Sequence, residues 1–308
     1  MNKESGVARP FTVQPETPPP AATVIGGRRI PGAVRALRIV HPFPTLLNVA
    51  ATAGLAFVAV RGVPDISVLA RMLAVMLCAQ CAIGVANDYF DRDLDAASKP
   101  WKPVVAGLVA PRTALTLAVA FAFAAAALGA TLGVGSFLLA MLGMSCGLAY
   151  DIRLKRTILS AIPYVIAIPT MPIWVWLTLG VWGPVLWWLL PLGGLIGLAL
   201  HVANTLPDID ADVAHGIAGL AHRLGARISI LLAWASFAGA LTLSVGLAPF
   251  IGYEMRFYAP ALAVGLAALT ASAVAFGARR DEFALRLGFS ALSIASAALA
   301  VGWLAAVT

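Results

Sequence analysis

Charge is scarce in this sequence. Only 11% of its 308 residues are charged, against roughly a quarter in an ordinary soluble domain. Hydrophobic residues make up 61% of the chain and its mean hydropathy is +0.91. So much apolar surface cannot be hidden in one water-facing globule, so the bilayer is the natural solvent. Cysteine is also rare, with three in all. Cys78-Ala-Gln-Cys81 has CxxC spacing, but it sits in an apolar run with no second pair and no βαβ pattern, so it reads as small packing residues rather than a redox pair. None of His41, His201, His215 and His222 pairs with Cys or another His at zinc-binding spacing. His201 lies on a span near an acidic cluster, where packing and a cavity contact are both open. No apolar segment of signal-peptide type occurs near the N-terminus, so no cleavable leader is expected. The short alternating segments of a β-barrel are missing too.

Long apolar runs are plentiful. A membrane-crossing helix needs about 20 mostly apolar residues. Windows of that kind fall near residues 43–61, 66–87, 113–131, 134–149, 159–180, 184–203, 226–247, 256–277 and 284–306. The expected fold is an all-α membrane protein of about nine transmembrane helices. Residues 1–34 differ in kind. PETPPPAAT is rich in proline and polar residues, and this stretch reads as a disordered tail, ahead of a membrane domain over 35–308.

The net charge of +7 does not point to nucleic acid, because of where the charges sit. Counting loops from the N-terminus, 18 of the 21 Lys and Arg fall on one side of the nine spans. Positive loops stay cytoplasmic, which puts the N-terminus inside and the C-terminus outside. The cell membrane is the expected location.

Acidic residues are fewer still, and they cluster. Seven of the 14 lie in two short segments: Asp88, Asp91, Asp93 and Asp95 after span 2, and Asp208, Asp210 and Asp212 after span 6. Both spans are even-numbered, so both clusters close on the same membrane face. At about 100° per residue, Asp88, Asp91 and Asp95 share one narrow helix face, Asn87 lies near it and Asp93 points away. Asn204, Asp208 and Asp212, spaced i, i+4, i+8, would share another face, which Pro207 could interrupt. Asp at a helix C-terminus opposes the macrodipole, so capping explains neither cluster. Oxygen ligands without His or Cys suit Mg²⁺ or Ca²⁺, and Mg²⁺ is commonly held by carboxylates together with substrate phosphates. Loop 4–5 carries Tyr150, Arg153, Lys155 and Arg156 on the same side, and loop 2–3 carries Lys99 and Lys102. These cations could meet diphosphate oxygens, or simply mark the cytoplasmic face.

These motifs resemble the UbiA superfamily of intramembrane prenyltransferases. Asn87-Asp88-x-x-Asp91-x-x-x-Asp95 matches its first motif, NDxxDxxxD. Asp208-x-x-x-Asp212 matches the second, preceded by Asn204. Tyr150 with Leu154-Lys155-Arg156 resembles the element between them. KPWKPVVAG, residues 99–107, resembles the segment after the first motif, with Lys102 where Arg is commoner. LRIVHPFPTLL resembles the opening of the family's first span, with Arg38 in its arginine position.

The resemblance implies a bundle around a central cavity and Mg²⁺-dependent transfer of a prenyl group from its diphosphate to an acceptor. It implies metal binding by Asp88, Asp91, Asp95, Asp208 and Asp212. These five aspartates, with Asn87 and Lys155, are then the catalytic candidates. Arg38, Lys99, Tyr150, Arg153, Arg156 and Asn204 are substrate-binding candidates. A small aromatic, quinone-type acceptor is the leading expectation, with pigment, haem, glycerol ether and phosphoribosyl acceptors as alternatives. An ion-coupled transporter, in which membrane carboxylates mark an ion path, and a non-catalytic lipid-binding scaffold also remain open.

Overall fold

The computed structural model describes residues 24–25, 28–29, 31–209, 218–278 and 282–307. Much of the proline-rich tail therefore lies outside the described residues. Within it, Val24–Ile25 pairs antiparallel with Arg28–Arg29, and a short helix spans Gly32–Ala36.

Nine helices among the described residues are long and apolar enough to cross a membrane. Their α-helical parts are α1 Pro42–Val60, α2 Ile66–Phe90, α3 Pro111–Ala130, α4 Val134–Ile152, α5 Ile162–Thr178, α6 Leu189–Thr205, α7 Leu220–Ile251, α8 Met255–Ala278 and α9 Glu282–Val307, with 3-10 turns extending the fifth and sixth spans back to Ile158 and Pro184. The ends follow local chemistry. Pro42 and Pro111 open α1 and α3 at first-turn positions, where the missing N–H costs nothing. Asp65 caps α2 by accepting from the N–H groups of Ser67 and Val68, each at 2.9 Å. Left-handed Arg61 closes α1. The helix of α7 is broken at Gly225, whose φ of 75° takes it out of the helical region, so the membrane-length part starts where the apolar run does.

Helices adjacent in sequence pack together, and α9 returns to pack on both α6 and α1. Apolar burial does little to join helices in lipid, so small residues that let backbones approach matter more. Gly193 and Gly197 of α6 show this against α5. A Cβ on Gly197 would meet the Tyr164 carbonyl oxygen at 2.5 Å, and one on Gly193 would meet Pro169 Cβ at 2.8 Å. The largest fully buried side chains, including Trp176, Trp303, Tyr258, Phe237 and Met72, gather mainly where α1, α5, α7 and α9 end and α2, α6 and α8 begin. The opposite end of the bundle is where charge is buried.

Candidate active site

The end of α2 builds the site. Asn87 and Asp88 occupy its last turn, Asp91 is the joint after it, and Asp95 lies on the short helix Arg92–Ser98. The joint is nearly helical, with Asp91 N–H to Asn87 O at 2.9 Å and Asp95 N–H to Asp91 O at 2.7 Å. The three carboxylates therefore stay on one side. Asp88, Asp91 and Asp95 are 1%, 7% and 2% exposed, whereas the Asp93 side chain is 88% exposed beside Arg92.

Buried carboxylates need partners, and two lysines supply them. Lys102 Nζ lies 3.1 Å from Asp88 Oδ1 and 2.6 Å from Asp95 Oδ2, and donates to Asn87 Oδ1 at 2.9 Å. Burial alone would lower the affinity of its ammonium for the proton. The hydrogen bonds and charges of Asp95 and Asp88 outweigh that and raise its pKa above the usual lysine value. Lys155 Nζ pairs with Asp91 Oδ1 and lies 3.7 Å from Asp151 Oδ1. Arg156 reaches within 3.7 Å of Asp91 from an exposed position. Lys99 is half-exposed and only 3.5 Å from Asp95. Of the two lysines in the KPWKP turn, Lys102 rather than Lys99 is thus the buried one.

Two further groups belong here to which the sequence reading gave no role. Asp151, in the last turn of α4, accepts from Asn87 Nδ2 at 2.8 Å, and the same nitrogen donates to Asp91 at 2.9 Å. His41 Nε2 lies 3.0 Å from Asp88 Oδ1. Its backbone is left-handed, with φ 48°, an uncommon state for a residue with a side chain. Gly84 of α2 permits it, because a Cβ there would sit 3.2 Å from the Val40 carbonyl. In the sequence His41 was a histidine without a zinc partner, inside the LRIVHPFPTLL segment but with no role of its own. Arg38, the expected arginine of this segment, is exposed instead and forms no ion pair among the described residues. His201 is buried, with Nε2 3.0 Å from Ser160 Oγ. Its ring packs against Tyr164 and Tyr150, centroids 5.0 Å and 5.9 Å away, and the two tyrosines lie 5.5 Å apart. Arg153 is exposed at the turn after α4.

The second acidic segment is described only at its edges. Asn204 is exposed at the end of α6, and Asp208 closes the 3-10 turn Leu206–Asp208. The α-helical register expected across Asn204, Asp208 and Asp212 is not continuous, because α6 stops at Thr205 and Pro207 lies in the tighter turn. Asp210, Asp212 and His215 lie outside the described residues. The described residues resume at Ala218, and a Cβ on Gly219 would meet the Lys155 carbonyl oxygen at 2.8 Å. Leu220 N–H donates to Ser160 Oγ at 3.0 Å. Gly219 and Leu220 thus pack against the stretch that carries Lys155 and Ser160.

Among the described residues no three acidic, His or Cys side chains already converge as an ion site; the two ammonium groups lie between the carboxylates. The donor set is nonetheless all oxygen, and buried Asp88 Oδ2 has no hydrogen-bond partner among the described residues. Such a set fits a hard divalent cation.

Comparison with known proteins gives the class of the chain. The model of the UbiA prenyltransferase family matches residues 47–294. The chain belongs to that family of membrane prenyltransferases, and with nine apolar helices it is an integral membrane protein. It is 30% identical over 213 residues to a digeranylgeranylglyceryl phosphate synthase of Methanoregula boonei, covering 67% of this chain and 74% of the relative. It is 28% identical over 218 residues to a 4-hydroxybenzoate octaprenyltransferase of Vibrio cholerae, covering 69% and 77%. A UbiA homolog from Archaeoglobus fulgidus solved with DMAPP and Mg²⁺ shares the fold, with a TM-score of 0.72 over 88% of this chain and 98% of that one at 17% identity.

Proposed function

We propose that this protein uses Mg²⁺ to transfer a prenyl group from its diphosphate to a small acceptor, at the end of the bundle where α2, α4 and α6 terminate. The observation that carries this reading is the buried set Asp88, Asp91 and Asp95 facing Lys102 and Lys155 at the edge of a lipid-facing bundle. A prenyl diphosphate has an anionic head for such a mouth and an apolar tail for the helices. Asp88, Asp91 and Asp95, with Asp208 and Asp212, would hold the metal. Mg²⁺, when bound, neutralises diphosphate oxygens and eases departure of the leaving group.

The chain's own residues do the rest. Lys102, Lys155 and Arg156, with Arg153 and Lys99 nearer solvent, offset negative charge that builds as the C1–O bond breaks. Asn87 and Asn204 offer amides to the head group. Tyr150 joins Tyr164 and His201 in an aromatic wall that helps exclude water from the allylic centre. The acceptor's nucleophilic atom then bonds to C1, diphosphate departs with the C1–O electron pair, and the acceptor gives up the proton that the prenyl group replaces. The mouth faces the cytoplasm by the distribution of Lys and Arg, and the cell membrane is the proposed location.

A quinone-type aromatic is the proposed acceptor, as in the 4-hydroxybenzoate relative. A glycerol lipid is the second reading, favoured by the digeranylgeranylglyceryl phosphate synthases among the relatives. The test is to incubate purified protein with labelled geranylgeranyl diphosphate, Mg²⁺ and either 4-hydroxybenzoate or geranylgeranylglyceryl phosphate, beside an EDTA control. Metal-dependent release of diphosphate with a prenylated product is expected, and the product identifies the acceptor class. Ion flux in liposomes without release would support a transporter, and binding without either would support a scaffold.

A further inference from the structure

Asp151 belongs to no motif, yet it is 5% exposed at the centre of the site. Its Oδ1 accepts from Asn87 Nδ2 at 2.8 Å and lies 3.7 Å from Lys155 Nζ, one helical turn along the chain. The amide of Asn87 is thus held at three points. Its nitrogen donates to Asp151 and to Asp91, and its oxygen accepts from Lys102 at 2.9 Å. A flipped amide would set its oxygen against two carboxylates and its NH₂ against an ammonium, so these neighbours admit one orientation. Lys155 stands between two carboxylates in the same way, Asp91 and Asp151. Any ligand that draws Asp91 away leaves Asp151 as the remaining anion beside that lysine.

We propose that Asp151 is a positioning residue: it fixes the Asn87 amide and keeps Lys155 at the mouth, joining the end of α4 to the acidic face of α2. It touches neither substrate nor reacting atoms. The proposal rests on the prenyl-transfer reading, but its main readout is binding. The full-length protein in detergent would be compared with Asp151→Ala, Asp151→Asn, Asn87→Ala and the Asp151→Ala/Asn87→Ala double variant. Equilibrium binding of geranylgeranyl diphosphate with Mg²⁺ would be measured with KM, kcat and the thermal midpoint. Wild-type turnover alone decides the prenyl-transfer reading, and the binding series decides the role of Asp151 whether or not turnover is seen.

Asp151→Ala should weaken binding about tenfold or more, the scale of lost support behind binding groups, with KM rising in step where turnover occurs. Asp151→Asn keeps an oxygen for Asn87 and should recover part of that loss; being isosteric, it also serves if the alanine variant does not fold. In the double variant the two losses should fall well short of multiplying. Unchanged binding in both Asp151 variants would overturn the proposal. So would a lowered thermal midpoint with the affinity of the folded fraction intact, or losses that multiply in full.

Discussion

Asp91 sits where a long helix gives way to a short one, and Lys155, Arg156 and Asn87 converge on it. Lys155 pairs with one of its oxygens and Asn87 donates to the other. Asp91→Ala should abolish prenyl transfer, because it removes a carboxylate of the proposed metal set and leaves the Lys155 ammonium only the more distant Asp151. Asp93→Asn should leave most of the activity, since that side chain points to solvent two residues away. An assay in which the two substitutions are equally damaging would show that burial does not sort the acids of this motif. The lysines separate likewise. Lys102→Met should cost far more activity than Lys99→Met, because only Lys102 is enclosed by Asp88, Asp95 and Asn87. Its raised pKa also fixes a sign. The stability that Lys102 contributes is fully present below the unfolded lysine value of 10.5 and is lost only as pH rises through the higher folded value. Lys102→Met should therefore lower the thermal midpoint at neutral pH, where that contribution is fully present, and an unchanged midpoint there would mean that another group holds those carboxylates.

Helices are the scale at which the sequence was most readable. Apolar runs gave all nine spans to within a few residues, because length and hydropathy are local properties. The first acidic motif was readable for the same reason: one helix face brings Asp88, Asp91 and Asp95 together and turns Asp93 out. Partners from other helices were not. Asp151 and His41 reach Asn87 and Asp88 across 64 and 47 residues of chain, and no periodicity encodes a meeting of that kind. Proline and glycine set the remaining departures. Pro207 ends the register that linked Asn204 to Asp208, and Gly225 breaks α7 ahead of its apolar part. Glycine also decides how closely α5 and α6 approach. Gly197→Ala places a methyl group against the Tyr164 carbonyl and should cost about 1–3 kcal/mol of stability through overpacking. Gly54→Ala, in α1, meets nothing within 4 Å and should leave the thermal midpoint unchanged or slightly raised, since alanine is the better helix former. Equal midpoints for the two variants in detergent would show that the α5–α6 contact is not limiting.

Across the whole molecule, charge is divided between the two ends of the bundle in different forms. At the site end, carboxylates and cations are many and partly buried. At the other end, the three cations that depart from the one-sided pattern are all occupied. Arg61 pairs with Glu254 at 2.7 Å and donates to the Ala305 carbonyl at 3.2 Å, tying α1 to the turn before α8 and to the end of α9. Arg256 pairs with the same glutamate at 2.6 Å. Arg71 donates to the Thr131 carbonyl at 2.9 Å. These arginines act as local ties at that end of the bundle. Asp93 follows α2 and Glu254 precedes α8, with five spans between them, so the two must lie on opposite membrane faces. The check is to replace Cys78, Cys81 and Cys146 by Ala, then introduce Asp93→Cys or Glu254→Cys singly. In intact cells an impermeant maleimide should label the Glu254→Cys protein, and the Asp93→Cys protein should react only in inverted vesicles. Labelling of both from one side would overturn the nine-span topology, and the reverse pattern would keep the spans but place the mouth outside the cell.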